Sequence, residues 1–140
     1  MRRAPTKRVF PNRYNGVGGH IERDEDPLSS ARREIQEETG LDVTVLELRA
    51  IYNIDTGGSS GIILFVFIGQ APSREVLSQS AEGTLHWIPM SEIARYDLVE
   101  DLPLILPRVL DANRAVPWFV HVSYDSEDQI IMRFAEDSVE

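Results

Sequence analysis

Glu34, Glu37 and Glu38 stand within one five-residue stretch, EIQEE. Residues three and four apart share one face of a helix, so these carboxylates point the same way if the stretch is helical. Like charges at that spacing cost a helix about 0.2–0.5 kcal/mol. A hard divalent cation with oxygen ligands removes the repulsion. A cation held there would lower the pKa of a bound water and neutralise charge on a phosphate chain. The same letters also fit a solvated acidic helix face.

The flanking residues supply the helix. Asp26 reads as its N-cap, Pro27 as its first residue and Gly40 as its C-terminal stop. Leu28, Ala31 and Ile35 make one apolar stripe that must pack on something, which puts the carboxylates at the edge of a buried surface. Residues 43–55 and 62–68 read as strands, joined through Gly57, Gly58 and Gly61. A further strand is expected over 85–88, a short helix from about Ser91, and a helical stretch over 101–112. In the last, Pro103 suits the start and Pro107 a kink. The end reads as a hairpin, with strands 118–124 and 130–134 around the polar turn 125–128. Strands and helices without regular alternation predict an α+β fold.

Composition narrows the class. With 140 residues, 42% of them hydrophobic, the chain predicts one domain over residues 1–140. A net charge of −9 disfavours binding a nucleic-acid polymer. An acidic enzyme acting on phosphates needs a cation between the two, so the charge itself hints at metal. The basic cluster Arg2, Arg3, Lys7, Arg8 and Arg13 is either a solvated strand end or a holder of substrate phosphates. There is no cysteine, which excludes disulfides and thiolate zinc sites. No apolar run is long enough to span a bilayer and no apolar signal core follows Met1, so the expected location is the cytoplasm. His20, His86 and His121 show no metal-ligand spacing and receive no role.

The wider stretch GHIERDEDPLSSARREIQEETGL carries nine positions at fixed spacing: Gly19, Glu25, Arg33, Glu34, Ile35, Glu37, Glu38, Gly40 and Leu41. It resembles the box of the Nudix hydrolases, meeting every specified position. The resemblance implies an α/β/α sandwich with a mixed central sheet. It makes Glu34, Glu37 and Glu38 ligands of Mg²⁺, with Mn²⁺ as substitute, and Glu34 a candidate to orient the attacking water. Arg33 is expected to pair with Glu25 and hold loop and helix in register. Gly18 and Gly19 would let backbone approach metal or phosphates, with a carbonyl at Gly19 as a further ligand. Arg23-Asp24 stands where the family often has Pro-Gly, which leaves that turn's geometry open. By resemblance, Glu82, five residues before Trp87, is the candidate metal ligand from outside the box.

The run Phe10 to Gly19 is similar to the MutT-like branch acting on oxidised purine nucleoside triphosphates. It implies that Asn15 reads a base, although Asn-Gly is equally a turn dipeptide. Glu100 and Asp101 fall where that branch places acidic base contacts. The implied reaction is (d)NTP cleavage to a monophosphate and pyrophosphate, with 8-oxo-dGTP a candidate substrate. The rivals are a silent nucleotide-binding module, an enzyme of ADP-ribose or another dinucleotide, and an isomerase of the family. Against these stand the intact glutamates, Thr56 in place of a proline, no tyrosine over 57–61, and the missing cysteine. Family members carry further strands before the segment matching Arg2-Arg3. Their apparent truncation implies either a start assigned too far downstream or an exposed sheet edge covered by another segment or by a neighbouring chain, as in a homodimer formed across it.

Overall fold

The computed structural model describes residues 1–77 and 79–138. The elements in order are β1 (Arg2–Arg3), α1 (Pro27–Thr39), β2 (Leu46–Ile54), β3 (Ile62–Gly69), β4 (Gln79–Ser80), β5 (Gly83–Thr84), a 3₁₀ helix (Met90–Arg95), α2 (Leu102–Val109), β6 (Trp118–Tyr124), β7 (Ile130–Phe134) and a last 3₁₀ turn (Ala135–Ser138). Mixed strand directions with few helices make the fold α+β. No described helix is long and apolar enough to cross a membrane.

The chain divides into two compact units, Met1–Leu46 with Gly69–Val99, and Glu47–Ile68 with Glu100–Glu140. The second is built on a four-stranded sheet in the order β3-β2-β6-β7. β2 and β6 run parallel and β6 and β7 antiparallel. The period-two alternation of a strand turns Ala50 and Tyr52 of β2, and Val120 and Val122 of β6, to one face. There they form a core with Phe134 of β7 and with Ile105 and Val109 of α2. The strands of the last hairpin match the expected residues, and its turn bends at Asp128, which has φ 59. α2 is shorter than the expected 101–112. Pro107 lacks the N–H that an interior residue donates, and the helix ends two residues later.

The first unit holds α1 and the small antiparallel sheet β1-β5-β4. α1 starts and stops as its signals require: Asp26 accepts from Ser29 N–H, Pro27 opens the helix and Gly40 leaves it at φ 78. Ser30, Glu38 and Thr39 are its buried residues, while Leu28, Ala31 and Ile35 are half-buried. Two expectations fail here. The strand expected from 43 begins at Leu46, because Leu41 and Val43 are buried from irregular backbone. Residues 85–88 form no strand; Trp87 instead sends its indole N–H to Arg74 O at 3.1 Å, and Pro89 caps the 3₁₀ helix that follows.

Candidate active site

One guanidinium organises the loop–helix junction. Arg33 Nε and Nη2 grip both Glu25 oxygens at 3.0 and 2.6 Å. Nη1 reaches Glu34 at 3.0 Å and Glu37 at 3.2 Å, and Nη2 also reaches His20 O at 3.2 Å. These contacts use all five N–H donors of the side chain. The forked ion pair holds the Glu25 carboxyl down at about 2 and raises the affinity of Arg33 for its proton. The departure at Arg23-Asp24 does not prevent the turn. Glu25 N–H reaches Glu22 O at 3.2 Å, and Glu22 N–H reaches the Glu25 carboxylate at 2.8 Å.

The carboxylates of α1 share a face but differ in exposure. The Glu37 side chain is 53% exposed, that of Glu34 14%, and Glu38 is buried. Gly18 N–H lies 3.4 Å from a Glu38 oxygen. Burial raises the Glu38 pKa, and the negative fields of Glu34 and Glu82 raise it further against the pull of that N–H. A Cβ on Gly19 would come within 2.6 Å of Glu34 Cδ, so glycine is what lets that carboxylate lie against the loop. Glu82, in the turn between β4 and β5, forms an ion pair with Lys7.

Among the described residues, no three His, Cys, Asp or Glu side chains are gathered within reach of one metal ion. Two internal cations account for the spread: Arg33 engages Glu34 and Glu37, and Lys7 engages Glu82. The donor chemistry still fits a hard cation. All the donors are oxygens, and buried Glu38 lies in the negative field of Glu34 and Glu82.

The family model for the NUDIX domain matches residues 1–109. The chain belongs to the NUDIX domain family. This Nudix domain is 38% identical over 78 residues to a MutT-like protein of Streptomyces ambofaciens, a match spanning 55% of this chain and 48% of that one. It is 47% identical over 47 residues to the m7GpppN-mRNA hydrolase NUDT17 of Danio rerio, spanning 34% of this chain and 16% of that one. Its fold matches the crystal structure of the Mutator MutT protein of Bacillus halodurans with a TM-score of 0.70. That match has 28% sequence identity and covers 86% of this chain and 80% of the other. The Nudix chain spans less than half the length of the curated relatives it matches.

The residues expected to meet a base are tied into the Nudix chain itself. Asn15 Oδ1 accepts Gly16 N–H at 2.8 Å, the local bond of an Asn-Gly turn, and its backbone exchanges bonds with Met1. Asp101 and Glu100 belong to the second unit. Asp101, its pKa raised by burial, takes the Tyr52 hydroxyl at 3.0 Å. Burial, then a hydrogen bond with Glu100, pushes Tyr124 up to about 12. Sequence reading missed Lys7 as the partner of Glu82. Only its place in the basic cluster singled it out, because 75 positions separate the two.

Proposed function

We propose that this Nudix domain, taken as one domain over residues 1–140, is a metal-dependent hydrolase of nucleoside diphosphate-X compounds. The proposed reaction turns a (d)NTP into the monophosphate and pyrophosphate, with 8-oxo-dGTP among the candidate substrates. The observation that carries it is the shared helix face of Glu34, Glu37 and buried Glu38, beside a loop locked by Arg33 and Glu25. Glu34, Glu37, Glu38, Glu82 and the carbonyl at Gly19 would hold Mg²⁺, or Mn²⁺ in its place. When bound, the metal supplies charge neutralisation and an acidified water. Gly18 leaves room for phosphate oxygens beside the helix. Glu34 orients the water and takes its proton. The water oxygen bonds to phosphorus, the bridging P–O bond breaks, and pyrophosphate departs. Arg33 and Glu25 act by positioning. Asn15, Glu100 and Asp101 are the proposed base contacts.

The support for a phosphate-cleaving role is family membership together with this carboxylate geometry. The MutT-like relative and the Mutator MutT fold support the MutT-like branch, and the triphosphate is proposed from that resemblance. The test is release of phosphate or pyrophosphate from normal and oxidised nucleoside triphosphates and ADP-ribose, with Mg²⁺ or EDTA, comparing wild type with Glu38→Gln. Turnover needing both metal and Glu38 supports the reading. ADP-ribose as best substrate would move it to the dinucleotide branch, and silence throughout would favour a nucleotide-binding module. We place the enzyme in the cytoplasm, off the membrane and off nucleic-acid polymers. We also propose a homodimer across the edge strand β3, whose sequence IILFVFIG carries no charge to blunt pairing. Light scattering showing a monomer would remove the dimer.

A further inference from the structure

The five cationic side chains before Glu22 share that stretch with no carboxylate, in a protein of net charge −9. In the first unit two of them, Arg2 and Arg3, line a groove of about 230 Å³ together with Asn12, Thr84 and the small residues between. We propose that this groove is a binding site for a small phosphate anion of pyrophosphate size, separate from the glutamate cluster of α1.

Its chemistry is that of an anion receptor. Arg2 Nε is pinned to Asn12 O at 3.4 Å and Arg3 Nε to Val9 O at 2.9 Å. Each guanidinium is thereby held through Nε, and a guanidinium carries four further N–H donors on its two Nη atoms. Glu82, the carboxylate of this unit nearest in sequence to its walls, is itself paired with Lys7. The Thr84 hydroxyl, held at 2.7 Å by His86 Nε2, adds a polar group on the β5 side.

The wall is also rigid. Arg3 N–H bonds Arg13 O at 2.9 Å, and Asn12 N–H bonds Arg3 O at 3.1 Å, closing the intervening loop onto β1. Within that loop Phe10 takes φ of 49, a left-handed value that a bulky residue keeps only where the surroundings impose it, and Asn12 takes φ of 63. Pockets that take drug-sized ligands run to about 300–1,000 Å³, so this groove suits a ligand smaller than a nucleotide. Pyrophosphate is also a product of the proposed reaction, and the groove's use as a product seat rests on that reading. Binding itself does not.

The test is calorimetric titration of pyrophosphate into the whole protein in EDTA at low salt. Wild type and Glu38→Gln should bind alike, with affinity falling as salt rises. Arg2→Gln/Arg3→Gln should weaken binding by about tenfold or more, as lost charge-assisted hydrogen bonds do. Asn12→Asp should do the same. It leaves β1 untouched and keeps a residue type that tolerates positive φ, so it decides the matter if the arginine variant unfolds. No binding by wild type overturns the proposal, as does binding unchanged in a folded groove variant. Binding that appears only when Mg²⁺ replaces EDTA and is lost in Glu38→Gln would assign the anion to the glutamate cluster and also overturn it.

Discussion

The Glu34 carboxylate occupies the space that a side chain on Gly19 would need, with Glu34 Cδ 2.6 Å from the site of the missing Cβ. Arg33 holds that carboxylate at 3.0 Å, so it is not free to swing aside. Gly19→Ala should therefore displace Glu34 while leaving α1 intact. Misplacing a catalytic group by an ångström costs about 100-fold in rate, so kcat should fall by about that factor with an unchanged circular dichroism spectrum. A variant of wild-type rate would remove Glu34 from the chemistry.

Glu38 is buried beside like charges, and the metal-free fold bears that cost. Glu38→Gln should melt higher than wild type in EDTA. Mn²⁺ at 100 times its Kd should stabilise wild type by about 2.7 kcal/mol, a rise of roughly 5–10 °C for a domain of this size. The variant should lose that rise. Equal melting of wild type with metal and with EDTA would count against a metal site at Glu38.

The Glu25–Arg33 pair predicts an acid limit. The folded Glu25 carboxyl is held at about 2 against an ordinary 4.5, chiefly by Arg33. A lowered acid pKa means that the unfolded chain binds more protons between those values. The pair's contribution is thus complete above 4.5 and drains away as pH falls toward 2. Glu25→Gln should melt below wild type at neutral pH, and the two curves should converge in acid. Parallel curves from pH 6 to 2 would show that the pair does not control stability.

What the sequence disclosed here was local. Asp26, Pro27 and Gly40 set the bounds of α1 through contacts within four residues, and those bounds match. The last hairpin was legible for the same reason. Alternation misled where apolar residues fill space from irregular backbone, as at Leu41, Val43 and Trp87. The Arg33–Glu25 contact followed from the spacing of the family motif. By contrast, the dispersal of the carboxylates onto Arg33 and Lys7 depends on which cation reaches them in three dimensions, and no spacing rule encodes that.

Lys7 and a metal ion compete for Glu82 if Glu82 is a ligand. An ion pair this exposed is worth about 0.2–1 kcal/mol, so Lys7→Ala should tighten Mn²⁺ binding by roughly 1.4- to fivefold. Removing a nearby positive charge would also help any cation through space, so the informative measurement is the double-mutant cycle. In a Glu82→Gln background the Lys7 effect should vanish. Electron paramagnetic titration of free Mn²⁺ reads this without turnover. A Lys7 effect that persists without Glu82 would leave only the through-space explanation.

Arg49 in the second unit shows how much stability rests on a contact that no motif announces. Its side chain is 3% exposed and lies among backbone carbonyls, with Nε to Val109 O at 2.8 Å, Nη1 to Arg114 O at 2.7 Å and Nη2 to Asp111 O at 2.6 Å. A helix leaves its last carbonyls without intrahelical partners, and Arg49 reaches the end of α2 and the loop after it from 60 or more positions away in the chain. Glu47, 3.2 Å from Nη1, has a side chain 61% exposed and adds little. Arg49→Met keeps much of the volume but leaves three carbonyls facing an apolar chain. A loss of about 3 kcal/mol is expected from breaking a buried charged network, equal to roughly 6–12 °C in melting temperature. Arg49→Lys should recover little, because one ammonium cannot match the directions of a fork. A melting temperature within about 2 °C of wild type for Arg49→Met would mean that water takes over these carbonyls with little loss.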